Sequence, residues 1–77
     1  MSHPRLPNGP PSLKDLTERQ VSLLQCFANG KEMKEMPEEL GITQDSIKRQ
    51  FVAIREKLQA RTTAHAVAIA MRHYIID

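Results

Sequence analysis

The stretch TQDSIKRQFVAIREKL, residues 43–58, decides how this 77-residue chain folds. Thr43 opens it as a helix N-cap, and Asp45 lies in the first turn, where the helix dipole favours a carboxylate. Its large apolar residues follow one another at spacings of four, three and four, which is a single stripe on a helix: Ile47, Phe51, Ile54 and Leu58. The opposite face carries Lys48, Arg49, Val52 and Arg55. We therefore predict an amphipathic helix over residues 44–58 with one buried face and one basic face.

Two helices are predicted before this stretch. Thr17 is a good N-cap residue and Gln20 stands three residues later, so the two make a capping box. That helix is expected to end at Gly30, which adopts the left-handed conformation at no steric cost. The next helix ends at Leu40, and Pro37 leaves its start open: the helix either begins near position 36 or contains the proline at a cost.

The two ends of the chain complete the predicted organisation. A last helix is expected from Thr62 or Thr63 to about Ile75. One apolar stripe on it comprises Val67, Ala70, Met71 and Tyr74, with Ala66 and Ile69 beside it. Residues 1–12 hold four prolines and a glycine, which predicts an irregular arm. We expect an all-α, four-helix domain over residues 13–77, preceded by a flexible Pro-rich arm over residues 1–12.

The composition argues against several classes of protein. A chain of 77 residues, 40% of them hydrophobic, makes one small globular domain in which a deep catalytic cleft is hard to house. No apolar run approaches the ~18 residues of a membrane span, and the first residues lack a signal-peptide core, so we expect a cytoplasmic protein without membrane contact. The single cysteine, Cys26, provides no internal disulfide, and His65 and His73 lack a third metal ligand. We predict neither an enzyme nor a metal or cofactor site.

Positive charge is concentrated in the C-terminal half. The whole chain carries a formal charge of +2, yet residues 44–72 hold six basic and two acidic side chains. A short helix, a Gly-containing turn of about three residues and a second helix with a basic outer face make a helix-turn-helix pattern. The second helix of such a unit enters the major groove of duplex DNA, where its N-terminal half meets base edges.

The sequence resembles the LuxR/GerE-type helix-turn-helix family over residues 16–72. The matching pieces lie in one register without a gap: Leu16-Thr17-Glu18-Arg19-Gln20, Leu23-Leu24, Ala28, Gly30, Lys34-Glu35-Met36, Glu39-Leu40-Gly41-Ile42-Thr43, Ser46-Ile47-Lys48, Ile54, Lys57-Leu58 and Ala66-Val67-Ala68. Each piece alone is a weak signal, whereas the set in one register is a strong one.

The resemblance implies a transcriptional regulator with the helix at residues 44–58 in the major groove. By resemblance, we expect Lys48, Arg49 and Val52 to face bases or nearby phosphates, and Thr43, Ser46 and Gln50 to lie near the DNA backbone. Arg55, which shares the basic side of the helix, completes the predicted DNA-binding set. The family also uses its last helix for dimerisation, here through Val67, Ile69, Ala70, Met71 and Tyr74. The expected partner is double-stranded DNA with a palindromic site, bound by a homodimer.

Several positions depart from the family's pattern. Glu32 replaces a capping serine, Pro37 a small helix former, Ser22 a glutamate, Gln50 a histidine and Gln59 a turn glycine. The family's usual receiver or ligand-binding domain has no room in these 77 residues, so we expect a stand-alone domain. A second hypothesis stays open: a protein-interaction module, an anti-activator or co-regulator, that binds another LuxR-type regulator or RNA polymerase through the same fold.

Overall fold

A computed structural model describes residues 15–77, and the arm predicted over residues 1–12 lies outside the described residues. Four helices follow one another along the chain: α1 (Glu18–Ala28), α2 (Met36–Leu40), α3 (Gln44–Leu58) and α4 (Thr63–Arg72). No strand occurs within residues 15–77. The predicted all-α, four-helix class of helix-turn-helix domain is confirmed.

Three of the four helices, α1, α3 and α4, begin where their capping threonines predict. The Oγ1 of Thr17 accepts from the backbone N of Gln20 at 3.0 Å, and the Oε1 of Gln20 accepts from the backbone N of Thr17 at 3.0 Å, which completes the capping box of α1. Thr43 caps α3 by accepting from the backbone N of Ser46 at 3.1 Å. Thr62 caps α4 in the same way. These caps satisfy backbone N–H groups that have no partner inside the helix.

The shortest helix is α2, because Pro37 lies in its first turn. Of the two starts left open by the sequence, the one near position 36 is correct: α2 begins at Met36 and residues 33–35 form a turn. Gly41 ends α2 with a φ of 71°, in the left-handed region that glycine tolerates best. Residues 41–43 then lead directly into α3, which is the predicted turn of the helix-turn-helix.

One hydrophobic core joins all four helices. α3 packs against each of the other three, and α1 also packs against α4. The rings of Phe27 and Phe51 meet edge to face, with their centroids 5.7 Å apart. The fully buried apolar side chains are Leu23, Leu24, Met36, Ile47, Phe51, Ile54, Leu58, Ala66 and Ala70. All four residues of the predicted α3 stripe are among them, so α3 is free to meet a partner only with its opposite face.

The C-terminal end of α4 differs from the prediction. The helix ends at Arg72, three residues early, and Tyr74 adopts a φ of 59°, which turns the chain so that Ile76 returns to the core. The buried side of α4 carries Ala66, Ile69 and Ala70. The predicted end near residue 75 is therefore wrong, and the predicted stripe is divided: Ala70 is buried, whereas Met71 and Tyr74 are exposed.

Gln59 ends α3 in a conformation that suits glycine. Its φ is 56° and its ψ is 38°, while Ala60 N donates to Arg55 O at 2.8 Å and Gln59 N donates to Glu56 O at 3.2 Å, as in a Schellman motif. An L-residue loses about 1–2 kcal/mol in this region, only partly offset by the larger backbone entropy that glycine loses on folding. We expect Gln59→Gly to stabilise the domain by about 1 kcal/mol and to raise Tm by roughly 4–8 °C.

Thermal unfolding followed by circular dichroism checks this expectation. Gln59→Ala is the matched control, since it removes the same exposed side chain and keeps the Cβ that makes the conformation costly. A glycine variant that melts no higher than the alanine variant would contradict the strain at this position.

Candidate nucleic-acid interface

The solvent-exposed side of α3 lies opposite its core stripe. Lys48 and Arg49 are exposed, and Val52 is 45% exposed although it is apolar. Val52 follows Lys48 by four residues and Arg49 by three, so the three side chains are neighbours on the helix surface. We call Lys48, Arg49 and Val52 the basic face of α3.

Two carboxylates border the basic face. Asp45 is exposed one turn before Arg49, and Glu56 is exposed one turn after Val52. Neither Lys48 nor Arg49 forms an ion pair with another side chain of residues 15–77; the two ion pairs in that range lie around α2. The positive charges of the basic face are therefore free to meet an external anion.

Thr43 and Ser46 lie at the N-terminal end of α3. Thr43 is exposed and uses its hydroxyl oxygen to accept from the backbone of Ser46, whose side chain is half-buried. The start of a helix carries backbone N–H groups and a partial positive charge, which favour an approaching phosphate. Both residues are thus placed near the end of α3 that is expected to meet DNA first.

Arg55 is set apart from the basic face. Its side chain is half-buried, and its Nη1 donates to the Oγ1 of Thr63 at 3.0 Å, which links the end of α3 to the start of α4. A guanidinium has five N–H donors in a fixed plane, so this contact leaves others for a phosphate. Arg55 therefore already has a role within the fold, whatever it contributes to binding.

The side chain of Gln50 is half-buried and contacts α1. Its Oε1 accepts from the Nε2 of Gln20 at 3.0 Å. Gln20 is 4% exposed, and its Oε1 also accepts from the Nζ of Lys57 at 2.9 Å. Lys57 donates further to the backbone oxygen of Asp15 at 2.6 Å. This network ties the start of α1 to the middle and the end of α3.

The sequence reasoning missed this network, because it gave Gln20 only its part in the capping box. The spacing held a signal: Gln20 precedes Leu23 by three residues and Leu24 by four, so it lies on the side of α1 that enters the core. A buried amide needs hydrogen-bond partners, and distant Gln and Lys side chains were the ones to look for.

The residues predicted for dimerisation divide into two groups. Met71 is 48% exposed, Tyr74 is 92% exposed, and Val67 is half-buried. Ile69 and Ala70 are buried, because they pack into the core of their own domain, so we leave them out of the surface offered to a partner. We call Val67, Met71 and Tyr74 the α4 surface.

The corner between α1 and α2 offers little chemistry. Cys26 is half-buried, with its Sγ 3.9 Å from the Oε2 of Glu39; burial first and the neighbouring carboxylate second raise the pKa of its thiol. A thiol that stays protonated is a poor nucleophile. The Nζ of Lys31 lies 2.9 Å from the Oε1 of Glu39, and this hydrogen bond raises the pKa of the lysine.

Residues 15–77 contain no group of three or more His, Cys, Asp and Glu side chains placed to hold a metal ion. None of their helices is long and apolar enough to cross a membrane.

Comparisons with known proteins agree with this architecture. The family described as "Bacterial regulatory proteins, luxR family" (GerE) matches residues 14–70. The chain is 34% identical over 61 residues to the transcriptional regulatory protein YdfI of Bacillus subtilis, covering 79% of this chain and 29% of that protein. It is 37% identical over 62 residues to the transcriptional activator protein BjaR1 of Bradyrhizobium diazoefficiens, covering 80% and 26%. It is 33% identical over 64 residues to the transcriptional regulatory protein LiaR of Bacillus subtilis, covering 83% and 30%. The chain thus spans less than a third of the length of each of these relatives. Because the family match covers most of its residues, the chain belongs to the luxR family of bacterial regulatory proteins.

Proposed function

We propose that this chain binds duplex DNA as part of transcriptional regulation, with α3 in the major groove. The observation that carries the proposal is the separation of the two sides of α3. Its apolar stripe is fully buried, while Lys48 and Arg49 are exposed without an ion-pair partner among residues 15–77. The relatives named as transcriptional regulators support the same role.

The chemistry of the basic face suggests how bases are read. Lys48 and Arg49 donate hydrogen bonds, which suits the O6 and N7 of guanine or a phosphate. Val52 offers only an apolar contact, which suits the methyl group of thymine. Thr43, Ser46 and Gln50 lie beside this face, where we assign them to the DNA backbone.

Direct titration tests the proposal. Fluorescence anisotropy with labelled genomic fragments at 50–200 mM salt should show binding that weakens steeply with salt, because neutralising phosphates releases counterions, with a slope near −0.9 per contact. Folded protein that binds no fragment at the lowest salt would refute DNA binding.

We propose further that two copies pair through the α4 surface and bind a palindromic site. Their α3 helices would then lie about 34 Å apart, one turn of DNA. Tyr74 supports this choice. A bulky residue with a positive φ is an outlier, and here its ring is almost wholly exposed. Such local strain is often kept where it serves a function.

Replacing Tyr74 by glycine should change two properties in opposite directions. Tyr74 N donates to Met71 O at 3.1 Å and Ile75 N donates to Ala70 O at 2.9 Å, so the position is the left-handed one of a Schellman motif. We expect Tyr74→Gly to stabilise the monomer by about 1 kcal/mol and to weaken self-association about tenfold, the size of effect expected when one aromatic anchor is lost.

Sedimentation equilibrium and thermal unfolding at low protein concentration measure the two effects. Tyr74→Phe keeps the ring and the strain, and should change neither. If Tyr74→Gly self-associates as wild type does, the α4 surface is not where two copies meet.

The exposed α4 surface also favours a second candidate function. A partner of another kind, such as a LuxR-type regulator or RNA polymerase, would use the same apolar side chains. Met71→Glu separates this role from DNA reading, since it adds a charge to the α4 surface and leaves the basic face intact. A variant that loses regulation in cells while it still binds DNA as wild type does would favour the interaction module.

A further inference from the structure

The buried amide of Gln20 has only one possible orientation. The backbone N of Thr17 and the Nζ of Lys57 approach the same end of this amide, at 3.0 and 2.9 Å. Both groups are donors without acceptor capacity, so the atom between them must be the oxygen. The NH₂ end of Gln20 therefore faces Gln50, at 3.0 Å.

The orientation of the Gln20 amide on α1 determines the orientation of the Gln50 amide on α3. Because Gln20 presents N–H to Gln50, the atom of Gln50 that receives it must be Oε1. The Nε2 of Gln50 then lies at the other end of its amide, and no acceptor of residues 15–77 binds it. Gln50 is half-buried and immediately follows Arg49 on α3, so the residue borders the basic face.

We propose that Gln20 is a positioning residue for DNA binding, which sets the polarity of the Gln50 amide so that Gln50 offers N–H donors to a DNA phosphate. The inference rests on the proposed function, because it names the group that meets the DNA backbone beside the basic face. The opposite polarity would present the Oε1 of Gln50 to a phosphate oxygen, where two acceptors repel. The fixed charge of Lys57 thus decides, through Gln20, what α3 presents to DNA.

The substitution Gln20→Glu reverses the polarity without removing the cap. The new carboxylate accepts from Thr17 N and from Lys57 Nζ as the amide oxygen does, and it adds an ion pair with the ammonium. It has no N–H for the Oε1 of Gln50. The Gln50 amide must turn over to donate its Nε2 inward, which leaves its oxygen facing the DNA.

We expect Gln20→Glu to melt no lower than wild type and to bind DNA about tenfold more weakly, since a donor to a charged group is lost and an acceptor takes its place. A purely structural role would not produce this split between stability and affinity. Gln25→Glu is the matched control: it makes the same change on α1, where the amide of Gln25 bonds to Asn29 and to the backbone of Asp77. Its added charge should weaken binding about twofold at most at moderate salt.

Side-chain amide exchange, measured by NMR without DNA, reads the polarity itself. In wild type, a Gln20 amide proton should be protected and both Gln50 amide protons should exchange freely with water; in Gln20→Glu, a Gln50 proton should become protected. Protected Gln50 protons in wild type would overturn the inference. This measurement uses wild type only, so it does not depend on whether any variant folds. If wild type binds DNA and Gln20→Glu binds it no more weakly than Gln25→Glu does, the inference about Gln20 is overturned and the proposed function stands. Wild type that binds no DNA would overturn the proposed function, and the inference with it.

Discussion

Replacing Lys48 and Arg49 together by glutamate is expected to weaken DNA binding about a thousandfold at moderate salt, while the domain stays folded. Each good contact from a basic side chain to a base or phosphate contributes about 1–3 kcal/mol, and reversal adds repulsion to the loss. Both side chains are exposed, and neither pairs with a carboxylate within residues 15–77, so the fold has no need of them.

The salt dependence distinguishes a lost contact from a general change in charge. Each phosphate no longer neutralised makes the slope of log K against log salt less negative by about 0.9, so the double variant should lose about one unit of slope for each of the two residues that contacts a phosphate. Single variants assign the roles: the residue that contacts a base should relax the sequence preference at one position, and the one that contacts a phosphate should weaken all sites alike.

Arg61→Glu with Arg72→Glu is the matched control. It changes the net charge by the same amount at two exposed positions, before α4 and at its end, that are not part of the basic face. Anisotropy should show a much smaller loss for this pair. Equal losses for the two double variants, with intact helical content, would mean that overall charge rather than the basic face holds the DNA.

α3 could be predicted from the sequence because its signals are local. Thr43 caps it, its apolar residues recur at helical spacing, and the predicted bounds of residues 44–58 are those of the structure. The same holds for the capping box at Thr17 and Gln20. Each of these signals involves residues within one or two turns of each other, where backbone geometry determines which side chains meet.

What the sequence did not reveal depends on distant contacts. The pair Gln20 and Gln50 is separated by 30 residues, and Gln20 and Lys57 by 37, so only the packing of α1 on α3 brings them together. The end of α4 was misjudged for the same reason: the helix stops at Arg72, and Ile76 returns to the core through contacts that helical periodicity does not describe. Periodicity describes the face of an isolated helix, whereas burial is decided by its neighbours.

Phe51→Ala is expected to leave a large fraction of the protein unfolded at 25 °C. Phe51 is fully buried in α3, with its ring edge to face with Phe27. Truncating a buried phenylalanine costs about 3–5 kcal/mol, and a single core in a domain this small rarely supplies more than roughly 3–5 kcal/mol of stability. Urea unfolding should therefore show little or no native baseline for this variant, and Phe51→Leu, which keeps most of the volume, should retain one.

Val52→Ala is the control that separates the two sides of the same helix. Val52 is the next residue along, and its side chain is about half exposed. Its truncation should change the free energy of unfolding by no more than about 0.5 kcal/mol, while binding to a site with a contacted thymine weakens several-fold. Excess DNA should raise the melting temperature of Val52→Ala, because a ligand that binds only the native state stabilises it. If Val52→Ala destabilised the domain as much as Phe51→Ala does, Val52 would have to be packed inside, and the assignment of the basic face of α3 to DNA would fail with it.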